Sequence, residues 1–120
     1  MPDTNEETRK FQKELNAGTT ALVLLNVLDQ AKEPMYGYQI AKLIESKSED
    51  MIILKQGALY PVLRTLESSN LLVSEVEPSV SGPPRRYYRI TDAGQETLKI
   101  WNTIWLRTKK LVDAILQGEE

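Results

Sequence analysis

A chain of 120 residues with no cysteine and no histidine can bury about two-thirds of its unfolded surface as one domain, and it lacks thiol nucleophiles, disulfides, imidazole bases and the usual zinc ligand sets. With 15 Lys and Arg against 17 Asp and Glu, a net charge of -2, it is no uniformly basic nucleic-acid binder, although a local cationic patch stays open. The longest apolar stretch, Ala21 to Leu25, is far below the ~18 residues of a membrane span, and the polar start has no signal-peptide pattern, so a soluble cytoplasmic protein without a membrane partner is expected.

Residues 1–7 are polar and read as a flexible tail. From Thr8, the residues Phe11, Leu15, Leu22, Leu25, Val27 and Leu28 recur at near-helical spacing, which predicts one long helix to about Ala31, stopped by Pro34. Ala21 to Leu28 is apolar on more than one face apart from Asn26. Such a helix either lies deep in its own core or also packs against a partner subunit.

Gly37 allows a tight turn, and Tyr38 to Ser46 reads as a short helix with Ile40, Ala41 and Ile44 inward. Met51 to Leu54 is apolar and β-branched and predicts a short strand. The next helix runs from Lys55 or Gln56 to Ser69 with Leu59, Val62, Leu63 and Leu66 as its core stripe. Pro61 inside it predicts either an irregular first turn or a bend, and Asn70 ends it because asparagine tolerates the left-handed conformation.

Val73 to Val76 and the run Arg85-Arg86-Tyr87-Tyr88-Arg89-Ile90, separated by a loop ending in Gly82-Pro83-Pro84, read as one β-hairpin with a cationic tip. Acids gather elsewhere, in Asp3 to Glu7, Glu49 to Asp50 and Glu119 to Glu120. Thr91-Asp92 then caps a final helix to about Gln117. Its residues Leu98, Trp101, Ile104, Trp105, Leu111, Val112, Ile115 and Leu116 make a stripe about seven turns long by the 5.4 Å pitch, with Ile100 and Leu106 widening it. A domain of this size cannot cover that stripe, and a second copy of the chain is the simplest cover. The fold expected is mainly α with minor β: a winged helix-turn-helix over residues 8–90 with a two-stranded wing, and a dimerisation helix over residues 91–120.

Three motifs carry a family resemblance. Tyr36-Gly37-Tyr38-Gln39-Ile40, then Gly57-Ala58-Leu59-Tyr60-Pro61-Val62-Leu63-Arg64-Thr65-Leu66-Glu67, then Pro84-Arg85-Arg86-Tyr87-Tyr88-Arg89-Ile90-Thr91-Asp92-Ala93-Gly94 resemble the PadR family of bacterial transcriptional regulators. The single long helix after the wing is similar to the small subfamily that includes multidrug-responsive repressors. The resemblance implies a winged-helix homodimer, joined through the C-terminal helix and often the N-terminal one. It also implies binding to double-stranded DNA at an inverted repeat, and release by a small aromatic ligand.

Carried over by position, Tyr38 falls where the family has a tyrosine reaching the DNA backbone, with a core aromatic as the competing reading. Gln56, Ala58, Tyr60 and Arg64 fall on the recognition helix or its first turn. Ala58 departs from the Thr or Ser common there, and Lys55 replaces a capping residue but can reach a phosphate. Tyr60 can equally be buried at its spacing from Leu63. Arg85 and Arg86 match the basic wing residues, while Arg89 is spaced to pair with Glu75. Trp105 falls where multidrug-binding members present a tryptophan across the dimer axis, able to sandwich a planar aromatic with its mate. Alternatively Trp101 and Trp105 fill a seam with Ile104, Leu111, Val112 and Ile115. Lys109, one turn beyond Trp105, does not favour a cationic ligand. No cofactor, metal or catalytic constellation is expected. The alternative function is a winged-helix protein-interaction module without DNA binding, which the acidic balance favours.

Overall fold

The computed structural model describes residues 4–48 and 56–118, in the order α1 (Thr4–Gln30), β1 (Met35–Tyr36), α2 (Gly37–Lys47), α3 (Gln56–Ser68), β2 (Leu72–Glu77), β3 (Arg85–Ile90) and α4 (Asp92–Leu116). The expected strand at Met51 to Leu54 lies outside the described residues, as does Lys55. Helix α1 begins at Thr4, so residues 4–7 of the expected tail form its first turn, where Glu6 and Glu7 complement the positive end of the helix.

One small antiparallel sheet organises the centre, in the order β1-β3-β2. The hairpin registers from Leu72 opposite Ile90 to Glu77 opposite Arg85. At its base β1 adds a third strand, with Met35 opposite Tyr88 and Tyr36 opposite Tyr87. Two residues are too few to show alternation, and only the free edge of β3 makes them a strand.

The core is built from one stripe of each element. Leu24, Leu25 and Leu28 of α1 meet Ile40 of α2, Leu59, Leu63 and Leu66 of α3, Leu72 and Tyr88 of the sheet, and Leu98 of α4. Helix α3 runs unbroken through Pro61. Its end is set by Asn70 at φ 63°, after which the Leu71 N–H reaches back to the Leu66 carbonyl at 2.9 Å.

Two joints set α4 against the rest. At its start, the Thr91 hydroxyl accepts the Gly94 N–H at 2.9 Å and donates to the Asn70 carbonyl at 2.8 Å, while the Thr91 N–H donates to the Leu71 carbonyl at 3.1 Å. About three turns on, the Asn26 and Asn102 side chains exchange two hydrogen bonds of 2.9 and 3.1 Å, and Asn26 also donates to the Leu22 carbonyl. The polar break in the apolar face of α1 thus has its partner on α4.

Among the described residues no helix is long and apolar enough to cross a membrane. Nor do any of their acids group so as to hold a metal ion.

Candidate nucleic-acid interface

Burial of Leu59, Leu63 and Leu66 fixes which side of α3 faces outward: Ala58, Tyr60 and Arg64 are all exposed, with Tyr60 and Arg64 one turn apart on one flank and Ala58 on the other. The Gln56 side chain lies outside the described residues. Tyr60 does two things at once. It stays partly open to solvent, yet its ring lies so close to Gly37 that a Cβ there would sit 2.6 Å from it. Glycine at position 37 is what lets α2 and α3 close on each other.

Tyr38, in the first turn of α2, is 49% exposed. Its reading as a core aromatic is therefore set aside: its ring stacks on Tyr36 at 6.4 Å and 18°, and the ammonium of Lys42 lies 5.6 Å from its centroid.

The wing arginines separate. Strand alternation sends Arg86 to the face of Tyr88 and Arg85 to the face of Tyr87. Arg86 donates from Nη1 to Ser74 Oγ at 3.0 Å, and that hydroxyl donates to Glu67 Oε2 of α3 at 2.6 Å. The wing is thereby tied to the recognition helix through three polar side chains. Beside them lies the phenol of Tyr88, whose pKa is raised above its ordinary value near 10 by burial and then by the Glu67 carboxylate. The charges of Arg86 and Arg64 work against that shift. The wing and α3 thus meet beside Tyr88, where Arg86 is joined through Ser74 to Glu67.

On the other face, the Arg85 guanidinium lies 4.5 Å from the Tyr36 ring centroid, and Tyr36 meets Tyr87 edge-on at 5.3 Å. Arg89 stands opposite Val73, while Glu75 faces Tyr87, so the expected Arg89–Glu75 partnership is not a direct cross-strand pair. Tyr36, Ser74 and Glu67 are not site residues by sequence pattern alone; the fold brings them into the site. Tyr36 at two residues from Tyr38, and Ser74 as a polar residue on the inward phase of a strand, were the available signals.

The second expected cluster divides as well. Trp101 packs partly against the core. With Ile104 and Trp105 it also lines a groove of about 530 Å³ against Leu15, Gly18 and Leu22 of α1. Leu111, Val112 and Ile115 lie beyond that groove and are exposed.

Residues 24–100 match the family model described as the transcriptional regulator PadR-like family. A transcriptional regulator of Mycobacterium tuberculosis is 37% identical over 91 residues, covering 75% of each chain. Among solved structures, a PadR family transcription regulator of Clostridium difficile is 34% identical with a TM-score of 0.67, covering 81% of this chain and 97% of that one. A PadR family transcriptional regulator of Eggerthella lenta is also 34% identical, with a TM-score of 0.69 and coverage of 94% and 95%.

Proposed function

This chain belongs to the PadR-like family and is a DNA-binding transcriptional regulator rather than an enzyme, and we propose that it works as a homodimeric repressor released by a small aromatic ligand. The observation that carries the dimer is the uncovered face of α4. Ile104, Trp105, Leu111, Val112 and Ile115 are all exposed along it, and burying a large apolar side chain is worth roughly 1.5 to 3 kcal/mol. A second copy covers that face, and the groove between α1 and α4 is where a flat ligand would meet Trp105 and its mate.

In this reading, Arg64 and Arg86 contact the duplex from the recognition helix and the wing, with Tyr38 on the flanking phosphates. Two such heads fit an inverted repeat with half-sites about one helical turn apart. A ligand that prefers an arrangement of α4 unsuited to DNA lowers affinity by its differential, typically about 1 to 3 kcal/mol.

The test is fluorescence anisotropy with a labelled duplex from upstream of the protein's own gene, beside a scrambled duplex, at two salt concentrations. Tight, salt-sensitive binding to the first duplex alone supports the regulator. Salt-insensitive capture of a protein partner, unchanged by Arg64→Ala and Arg86→Ala, supports the interaction module instead. If Trp105→Ala changes neither dimerisation nor the response to any planar aromatic, the sensing part is wrong.

A further inference from the structure

We infer that Tyr36 is a positioning residue for DNA binding, which holds Arg85 away from the acid opposite it and keeps its N–H donors free for a phosphate. The inference rests on the DNA-binding reading and extends the interface around the wing to a second face.

The cross-strand neighbour of Arg85 is Glu77, and an arginine beside a carboxylate ordinarily forms a paired-donor ion pair that occupies its donors. Arg85 makes no ion pair with Glu77 within 4.0 Å; its guanidinium lies over the Tyr36 ring at 4.5 Å. The two arrangements differ in what they leave available. A carboxylate takes up in-plane N–H groups, whereas an aromatic ring occupies only a face of the guanidinium and leaves its five donors pointing outward.

The ring is held from three directions. Its backbone pairs with Tyr87, its N–H donates to Gln39 Oε1 at 3.1 Å, and its faces and edge meet Tyr38 and Tyr87. The platform therefore costs little further ordering when DNA arrives. Continuing through Tyr38 to Lys42, it makes one ribbon of two rings with a cation at each end, from the wing to the middle of α2. A DNA backbone, with a charge at every phosphate, fits such a ribbon.

The test compares Tyr36→Phe, Tyr36→Leu, Arg85→Ala, the double variant Tyr36→Leu/Arg85→Ala and the double variant Tyr36→Leu/Glu77→Gln, using the labelled upstream and scrambled duplexes over a salt series. Tyr36→Phe keeps the ring and binds as the wild type does. Tyr36→Leu lets Arg85 fall to Glu77 and loses one phosphate contact per protomer, about 0.9 in the slope of log affinity against log salt, or about 1.8 for a dimer. Between about 50 and 200 mM salt its affinity then falls about 12-fold less than the wild type's.

Adding Arg85→Ala to Tyr36→Leu changes nothing more, and adding Glu77→Gln restores the slope. Additive losses from Tyr36→Leu and Arg85→Ala would overturn the inference, because a ring that merely supports the fold acts independently of Arg85. So would a wild-type slope in Tyr36→Leu, which leaves the DNA-binding reading intact. A wild-type protein with no salt-dependent binding to either duplex would refute both.

Discussion

Alanine at position 94 sets two effects of known sign against each other. Gly94 is the third residue of α4, and replacing a helical glycine by alanine ordinarily gains up to about 1 kcal/mol. Here the new methyl would collide with the backbone carbonyl of Leu71 and lie 2.7 Å from Ile90 Cγ1. The isoleucine can turn away, but the carbonyl is fixed, since it accepts the Thr91 N–H at 3.1 Å. Relief requires lifting the start of α4, which gives up the Thr91 cap at about 1 kcal/mol and adds packing strain of about 1 to 3 kcal/mol. The strain wins, and Gly94→Ala is expected to be destabilised by about 1 to 3 kcal/mol. Urea unfolding followed by far-UV circular dichroism, at one fixed protein concentration, reads this as a lower midpoint with an unchanged slope. Gly57→Ala is the companion variant, because nothing lies within 4 Å of its methyl, and it should gain up to about 1 kcal/mol. A Gly94→Ala protein as stable as the wild type would refute the argument that the carbonyl of Leu71 fixes the start of α4.

Asn102→Ala removes two hydrogen bonds from the α1–α4 joint and leaves Asn26 only its bond to Leu22, a cost of about 1 to 2 kcal/mol in the same assay; replacing both asparagines by leucine should recover most of it. Tyr88 gives a pH dependence. Its phenol has a raised pKa in the fold, so the stability it carries is fully present below its unfolded value near 10 and is lost as pH rises through the folded value. Tyr88→Phe should therefore lose less stability than the wild type between neutral pH and pH above 10, measured as the difference in urea midpoints; equal losses would mean that the phenol does not report on the fold.

Much of the architecture was legible in order. The left-handed Asn70, the Thr91 cap, the hairpin and the core stripe of α3 all stand as the residue types imply, because each depends on neighbours within about one turn or one strand pair. The same locality explains what could be read of the site: Tyr60 and Arg64 share one exposed flank of α3, and Ala58 takes the other, as soon as Leu59, Leu63 and Leu66 claim the buried side.

What only the tertiary structure decided involves residues far apart in the chain. Met35–Tyr36 becomes a strand because β3, some fifty positions later, offers a free edge. Asn26 is matched by Asn102 across 76 positions, and Gly94 must lack a side chain because the carbonyl of Leu71 stands over it. The paired arginines are the clearest case. In the sequence they read as one cationic tip, yet in the fold Arg86 is tied through Ser74 to Glu67 and Arg85 lies on Tyr36. Alternation along a strand separates the two side chains, but which groups receive each of them depends on how α3 packs against the sheet and how β1 pairs along its edge. Local propensity fixes where elements begin and end; the partners of a side chain are fixed by how those elements are brought together.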